Sequence, residues 1–145
     1  MKHSNEIIIN LPRKKVLELF DSTENLYKWQ KSLVNFEHLS GTPGEVGAKS
    51  KLTYKEGKGN FVLIETITVK NFPDEFSGTY EAKGIFNEVK NYFIEIDDNT
   101  TKWVSESEFK FSGFMKIISL FMKGSFKKES MKFLTCFKEF AEKTK

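Results

Sequence analysis

The central part of the chain is a series of strand-like segments joined by short turns. Patterns of period two occupy residues 34–39, 48–54, 60–70, 75–83, 87–96 and 101–111. Turn-forming residues separate these segments, among them Pro43-Gly44 and Asp97-Asp98-Asn99. Because the connections between consecutive strands are short, we expect hairpins and therefore an antiparallel sheet.

The end of the chain changes to a helical period. Apolar residues recur there at a spacing that places them on one side of a helix, which we predict over residues 124–143. These residues are Phe126, Phe133, Leu134, Phe137, Phe140 and Ala141. Phenylalanine is abundant, with 15 in 145 residues, and so much aromatic area suits either a large core or a lined cavity.

The beginning of the chain predicts one strand and two short helices. The strand covers residues 6–10, and Pro12 then lies in the first turn of a helix that carries Val16 and Phe20 and ends near residue 21. A second helical segment covers residues 26–33, with Trp29 on its apolar side. Both helices are too short to cover a sheet.

The order of these elements predicts an α+β fold in a single domain, residues 1–145. A curved antiparallel sheet of six or seven strands wraps around the long C-terminal helix, and two short helices lie between strands 1 and 2. A twisted sheet curls, and its concave apolar face must be covered. The C-terminal helix alone is long enough to cover it, and a ligand pocket is expected between the two.

This order of elements resembles the SRPBCC superfamily, which includes START lipid-transfer domains, birch-pollen-allergen-like proteins and the polyketide cyclase/dehydrase family. The similar features are Pro12 at the start of the first helix, the segment 25–29 with its tryptophan, the turn from Ser40-Gly41 to Gly47, and the Phe72-Pro73 break. The resemblance covers essentially the whole chain. It implies a helix-grip fold with a central apolar cavity, and it implies no single activity.

The last predicted strand has the composition of a ligand-lined wall. Alternation places Trp103, Ser105, Ser107, Phe109 and Phe111 on one face and mostly charged residues on the other. A solid core more often has Val, Ile or Leu where this face has serines. The strand therefore favours a cavity over a packed core.

Glu65 is the most informative acidic residue, because it shares a strand face with Phe61, Leu63, Ile67 and Val69. If that face lines the cavity, burial should raise the pKa of the Glu65 carboxyl. A neutral carboxyl there could bind a ligand hydroxyl or act as a general acid. The alternative is that the strand bends or bulges and leaves Glu65 in solvent.

The predicted ligand-binding residues are those expected on the cavity wall and at its covering helices. They are Trp29, Phe36, Tyr54, Leu63, Glu65, Ile67, Tyr80, Trp103, Ser105, Phe109, Phe111, Met115 and Phe133. Met115 belongs to the apolar segment 114–122, which we expect to be either a helical turn buried under the sheet or a mobile lid over the cavity.

Composition argues against several other functions. The net charge of +3 is the difference between 23 basic and 20 acidic residues, and no nucleic-acid-binding motif is present, so nucleic acid is not an expected partner. With a single cysteine, Cys136, and only two histidines, the sequence predicts neither a disulfide nor a metal site. The region 41–50 has the wrong spacing for a phosphate-binding loop and leads into a strand.

The sequence shows no recognisable targeting signal, so we expect a cytoplasmic protein. The apolar run near the N-terminus has three residues, too few for a signal peptide. The segment 114–122 is too short to span a bilayer, so we expect no stable membrane insertion.

The function that these observations favour is binding or transport of an apolar small molecule, such as a lipid-like, quinone or aromatic, polyketide-like compound. No catalytic residue and no cofactor is assigned, since no nucleophile–base pair is evident. The alternatives are a cyclase/dehydratase or hydrolase acting on such a ligand, or an interaction module resembling a chaperone regulator. The sequence determines neither the ligand nor the oligomeric state.

Overall fold

The computed structural model describes residues 1–144, apart from the side chain of Lys123. Seven strands and four helices follow one another along this part of the chain. They are β1 (Lys2–Ile9), α1 (Arg13–Phe20), α2 (Thr23–Trp29), β2 (Leu33–Ser40), β3 (Lys49–Glu56), β4 (Gly59–Asn71), β5 (Glu75–Ala82), β6 (Ile85–Asp97), β7 (Thr100–Phe111), α3 (Phe114–Ser119) and α4 (Lys123–Glu142).

The strands form one antiparallel sheet in the order β1-β7-β6-β5-β4-β3-β2. Strands β2 to β7 are joined as sequential hairpins, and β1 pairs with β7 at one edge. The predicted sheet of six to seven antiparallel strands and the long terminal helix are therefore confirmed. Register shifts in the β2–β3, β4–β5 and β6–β7 pairs mark bulges, which bend and twist the strands that carry them.

An aromatic cluster holds α4 against the sheet. Phe137 is fully buried, and its ring centroid lies 5.7 Å from that of Phe20, 5.2 Å from Trp29 and 5.4 Å from Trp103. Phe93 stacks on Trp103 from the neighbouring strand at 5.9 Å. The cluster thus joins α1, α2, two strands and α4 in one core.

Polar contacts then fix α4 along β1, at one edge of the sheet. The Ser130 hydroxyl and the His3 ring are 2.9 Å apart, and the Asn5 side-chain amide donates to the Lys127 carbonyl at 3.3 Å. The Lys138 ammonium donates to the Ile8 carbonyl. Because α4 lies along β1, it leaves the opposite side of the concave face less closely covered.

Several local features differ from the prediction, among them β1, which begins at Lys2 and not near residue 6. Helix α2 begins earlier than predicted, because the Ser22 hydroxyl caps it by accepting from the Asn25 N–H at 3.1 Å. It also ends earlier, at Trp29. Bulges at Val34 and Thr68 change the alternation, so Val34 is exposed and Val69 leaves the face shared by Leu63 and Ile67. The first six residues of the segment 114–122 form the short helix α3.

None of the described helices is long and apolar enough to cross a membrane.

Replacing Phe137 by alanine should destabilise the fold by about 3–5 kcal/mol, the usual cost of deleting a buried phenylalanine from a core. Urea denaturation should show a lower midpoint with an unchanged slope. Phe121→Ala is the matched control, since the Phe121 side chain is 84% exposed, and it should cost less than about 1 kcal/mol. Equal losses in the two variants would mean that the cluster does not anchor α4.

Candidate functional site

A cavity of about 640 Å³ lies between the concave face of the sheet and α4. Its wall is formed by side chains from β2 to β7, and α2 and α4 cover it. Phe133 of α4 lines the cavity although 42% of it is exposed, which places this residue at the opening. On the side of β2 the cavity is lined by His38 and by Pro43 and Gly44 of the loop that follows this strand.

The structure brings all but two of the predicted ligand-binding residues together on this cavity. Those that line it are Trp29, Phe36, Tyr54, Leu63, Glu65, Ile67, Tyr80, Trp103, Ser105, Phe109 and Phe133. Trp103 belongs to both the cavity and the core, since it is almost fully buried in the aromatic cluster and its indole N–H donates to the Asn91 side-chain oxygen at 2.9 Å.

Phe111, predicted on the cavity wall, and Met115, predicted in the segment that covers the cavity, are not among the residues that line it. Phe111 lies at the end of β7, where its ring stacks at 5.9 Å on Phe109 and packs at 5.3 Å from Phe126. Phe109 and Phe126 both line the cavity, and Phe111 packs against them. Met115 instead packs against the β5–β6 turn, where a Cβ added to Gly84 would lie 2.8 Å from its Cγ.

A row of polar side chains crosses the concave face, one from each of four adjacent strands. Ser50 of β3 is opposite Glu65 of β4, Glu65 is opposite Tyr80 of β5, and Tyr80 is opposite Asn87 of β6. All four line the cavity. We call them the polar row. Directly opposed residues have close Cβ atoms and interact, so the row is a continuous polar band on an otherwise apolar wall.

The carboxyl of Glu65 is the electrostatic centre of the polar row. Burial raises the pKa of the Glu65 carboxyl above its ordinary value of 4.5, and a hydrogen bond with the Tyr80 hydroxyl partly offsets that rise. Burial raises the pKa of the Tyr80 and Tyr54 hydroxyls, and the nearby Glu65 charge raises both further. The tyrosines therefore keep their protons, and the Glu65 carboxyl can donate or accept a hydrogen bond.

Tyr54, which also lines the cavity, is hydrogen-bonded to the residue that follows α2. Its hydroxyl donates to the Gln30 side-chain oxygen at 2.6 Å, just after the last residue of α2. This bond fixes the ring of Tyr54 on the wall, two residues beyond Leu52 of the same strand, which also lines the cavity.

Two buried polar atoms at the cavity have no hydrogen-bond partner among the described residues. They are the indole nitrogen of Trp29 and the side-chain oxygen of Asn87. A buried polar group without a partner costs about 1–3 kcal/mol. A donor at Trp29 and an acceptor at Asn87 are groups that a bound molecule with one polar function can satisfy.

The charges at the cavity are all of one sign. Among the described residues that line it there is no lysine or arginine, whereas three carboxylates line it. Two of these pair with lysines outside the lining, Asp21 with Lys70 at 3.6 Å and Glu129 with Lys132 at 3.5 Å. No described lysine or arginine forms a salt bridge with Glu65, so this carboxyl has no positive partner.

The titratable side chains at the cavity do not form a nucleophile–base pair within the described residues. The His38 ring lies 2.8 Å from the Gly41 carbonyl, in its own loop. No group of three or more His, Cys, Asp or Glu side chains in the described part of the chain could hold a metal ion. The chemistry that the cavity offers is hydrogen bonding and, at Glu65, proton donation.

Sequence reasoning missed part of the wall, chiefly that of β6. Ile85, Asn87, Val89 and Asn91 of this strand all line the cavity. Their spacing of two residues was a usable signal, but asparagines interrupt the apolar pattern and obscure which face is inside. Ser50 and Leu52 of β3 were also missed, since β3 is mostly polar in sequence.

The architecture is shared with several solved structures. Those similar to this chain include Ara h 8.0201, with a TM-score of 0.78 and 15% identity over 99% of this chain and 98% of that one. The Zhui aromatase/cyclase from a Streptomyces species has a TM-score of 0.82 and 10% identity over 98% and 93% of the chains. A START superfamily protein from Mycobacterium smegmatis has a TM-score of 0.75 and 8% identity over 99% of both.

The chain has the helix-grip fold, the architecture that its resemblance to the SRPBCC superfamily implies. This confirms the resemblance seen in the sequence as far as the fold is concerned. No protein-family model and no curated protein matches the sequence. At these low identities the structural similarity shows the fold only, so a function has to be inferred from the residues of the cavity.

Replacing Glu65 by glutamine should make the fold more stable than the wild type at neutral pH. A carboxyl whose pKa is raised by folding contributes stability below its unfolded pKa and loses it as the pH rises through the folded pKa. Each unit of that difference is worth about 1.4 kcal/mol. The advantage of Glu65→Gln should therefore appear as the pH rises above 4.5, the ordinary value, and vanish in more acidic solution.

Urea denaturation of both proteins at several pH values measures this difference. Glu81→Gln is the matched control, because Glu81 is exposed, neighbours Tyr80 in β5 and is not among the lining residues. It removes the same charge where water surrounds it, so it should change stability little. A Glu65→Gln advantage that is independent of pH would mean that Glu65 is not buried as the structure has it.

Proposed function

We propose that this protein binds an apolar small molecule inside the cavity, with the molecule's polar group against the polar row and its apolar body against the aromatic wall. The observation that carries the proposal is an internal cavity of about 640 Å³, within the range of small-molecule sites. Its aromatic lining with a few convergent polar groups is typical of such sites. The fold of the chain, which also occurs in an aromatase/cyclase, is compatible with this function.

The charge of the cavity supports a restriction on the ligand. An anion placed there would meet the Glu65 carboxyl and no described lysine or arginine. Burying an unpaired charge is costly. The ligand is therefore neutral or positively charged, which makes a free fatty acid a poor ligand and a quinone, an alcohol or an aromatic amine a good one.

Val89→Phe tests whether the space is a binding cavity. Val89 lines it and lies opposite Gly78 and Ser107, two small residues, so a larger ring projects into the open volume. We expect the variant to bind the neutral dye N-phenylnaphthylamine about tenfold more weakly or worse, which fluorescence titration measures, because less volume remains for a ligand. Its stability should change by less than about 1 kcal/mol.

The control is Val62→Phe, on an exposed site of β4, which should leave dye binding unchanged. Overpacking a solid core costs about 1–3 kcal/mol. A loss of stability of that size in Val89→Phe, with no dye bound by the wild type, would show that the protein is not a binder of apolar molecules.

Three probes with one ring system and different charges test the restriction on the ligand. Naphthylethylamine, naphthylethanol and naphthylacetate should displace the dye at neutral pH in different degrees, with the acid weaker than the alcohol by about tenfold or more. Glu65→Gln should narrow the gap between acid and alcohol, because an amide, unlike a carboxyl, cannot carry a negative charge beside the bound acid. Glu81→Gln should not.

The results separate the two parts of the proposal. Displacement by the alcohol and the amine with little by the acid supports both. Displacement by all three, with the acid strongest, would overturn the charge restriction and leave the cavity a binding site. Displacement by none would overturn the binding function.

A further inference from the structure

The surface beside α3 exposes several large apolar side chains. Phe114 is 73% exposed, Ile117 57%, Leu120 66%, Phe121 84% and Met122 38%. These five residues, which we call the exposed apolar segment, lie within nine consecutive positions of the chain. The predicted alternative of a helical turn buried under the sheet was therefore wrong. Contiguous exposed apolar groups of this size mark interaction surfaces.

The sequence around the exposed apolar segment is rich in lysine, and its nearest acidic residues are Glu108 and Glu129. Residues 109–128 contain five lysines and no aspartate or glutamate, although the whole chain has a net charge of only +3. Lys116, Lys127 and Lys128 are exposed. No salt bridge to any of these three is present in the described part of the chain. The segment thus combines exposed apolar side chains with exposed lysines, one within it and two shortly after it in the chain, that have no salt-bridge partner among the described residues.

The exposed apolar segment is attached next to one end of the cavity. The Ser112 N–H donates to the Gly84 carbonyl at 3.0 Å, and Met115 packs on Gly84. Ile85, which follows Gly84 as the first residue of β6, lines the cavity. Phe109 and Phe126, which precede and follow the segment in sequence, line it as well. A partner bound to the segment would lie close to this end of the cavity.

We propose that the exposed apolar segment and its lysines are a docking site for an anionic membrane surface. An interfacial element needs apolar side chains that enter the acyl boundary and lysines that meet anionic headgroups, and the segment has both. At six residues α3 is far too short to span a bilayer. The docking is therefore peripheral and reversible, and it is compatible with the absence of a spanning helix among those described.

Charge favours a lipid surface over a protein as the partner. A planar anionic surface can meet several exposed lysines at once without matching their individual positions. A second copy of this chain would bring a second set of lysines to the same contact, where the like charges repel.

Vesicle flotation tests the proposal with the full chain. The wild type should float with vesicles of phosphatidylcholine and phosphatidylglycerol and much less with phosphatidylcholine alone, and added salt should weaken binding. The double variant Phe114→Ser/Phe121→Ser should lower partitioning by about tenfold or more, because it removes the most exposed apolar area. Val34→Ser/Val46→Ser, at exposed sites of β2 and the loop after it, is the matched control and should bind as the wild type does.

The lysines have their own matched pair of variants. Lys116→Gln/Lys127→Gln/Lys128→Gln should weaken partitioning onto the anionic vesicles by roughly a hundredfold at low salt. Lys14→Gln/Lys31→Gln/Lys58→Gln removes the same charge at exposed positions elsewhere and should have a much smaller effect. All substituted residues are exposed, so the melting temperature should stay within a few degrees of the wild type.

Three results would overturn the proposal. One is that the wild type floats with neither kind of vesicle. Another is that each segment variant partitions as its control does. The third is that light scattering shows a wild-type dimer which Phe114→Ser/Phe121→Ser converts to a monomer while flotation is unchanged, since the segment would then be a contact between copies of the chain.

Discussion

The packing of Phe137 is the interaction on which the rest of the structure depends. Its ring contacts Phe20, Trp29 and Trp103, which belong to α1, α2 and β7. This contact fixes the C-terminal half of α4 on the sheet, and hydrogen bonds along β1 fix the helix at that edge. Because α4 is held there, the concave face towards β2 and β3 is not filled by it. The cavity is a consequence of where the helix is anchored.

The polar row lowers the stability of the fold, but it places hydrogen-bonding groups at defined positions on the cavity wall. Glu65, Tyr80 and Asn87 occupy positions where aliphatic side chains would pack without desolvation cost. The Tyr80 hydroxyl forms a hydrogen bond with the Glu65 carboxyl, and the nearby Tyr54 hydroxyl donates one to the Gln30 side chain. The side-chain oxygen of Asn87 is left without a described partner. Buried polar groups of this kind fix the orientation of a ligand in an apolar pocket, and they are the reason to regard the space as a site.

The sequence was informative about this site where the alternation of a strand was unbroken. In β7 the charged residues mark the outer face so clearly that Trp103, Ser105 and Phe109 could be placed on the wall. In β6 and β3 polar residues lie on both faces, so the inner face could not be recognised. Met115 could not be placed from sequence either, because the mostly apolar segment 114–122 fits a buried turn as well as an exposed one.

The sequence by itself determined the order of the strands and helices, the antiparallel hairpins and the apolar side of α4, because these follow from local periodicity and turn chemistry. Only the tertiary structure decided what depends on register and packing between distant segments. Cross-strand pairing put Ser50, Glu65, Tyr80 and Asn87 in one row, although they are far apart in the chain. The bulge at Thr68 lies after Glu65 in β4, so the alternation up to Glu65 is unbroken and the Glu65 carboxyl stays on the cavity side. The exposure of Phe114 and Phe121 was decided in the same way, because burial depends on whether another part of the fold reaches a side chain.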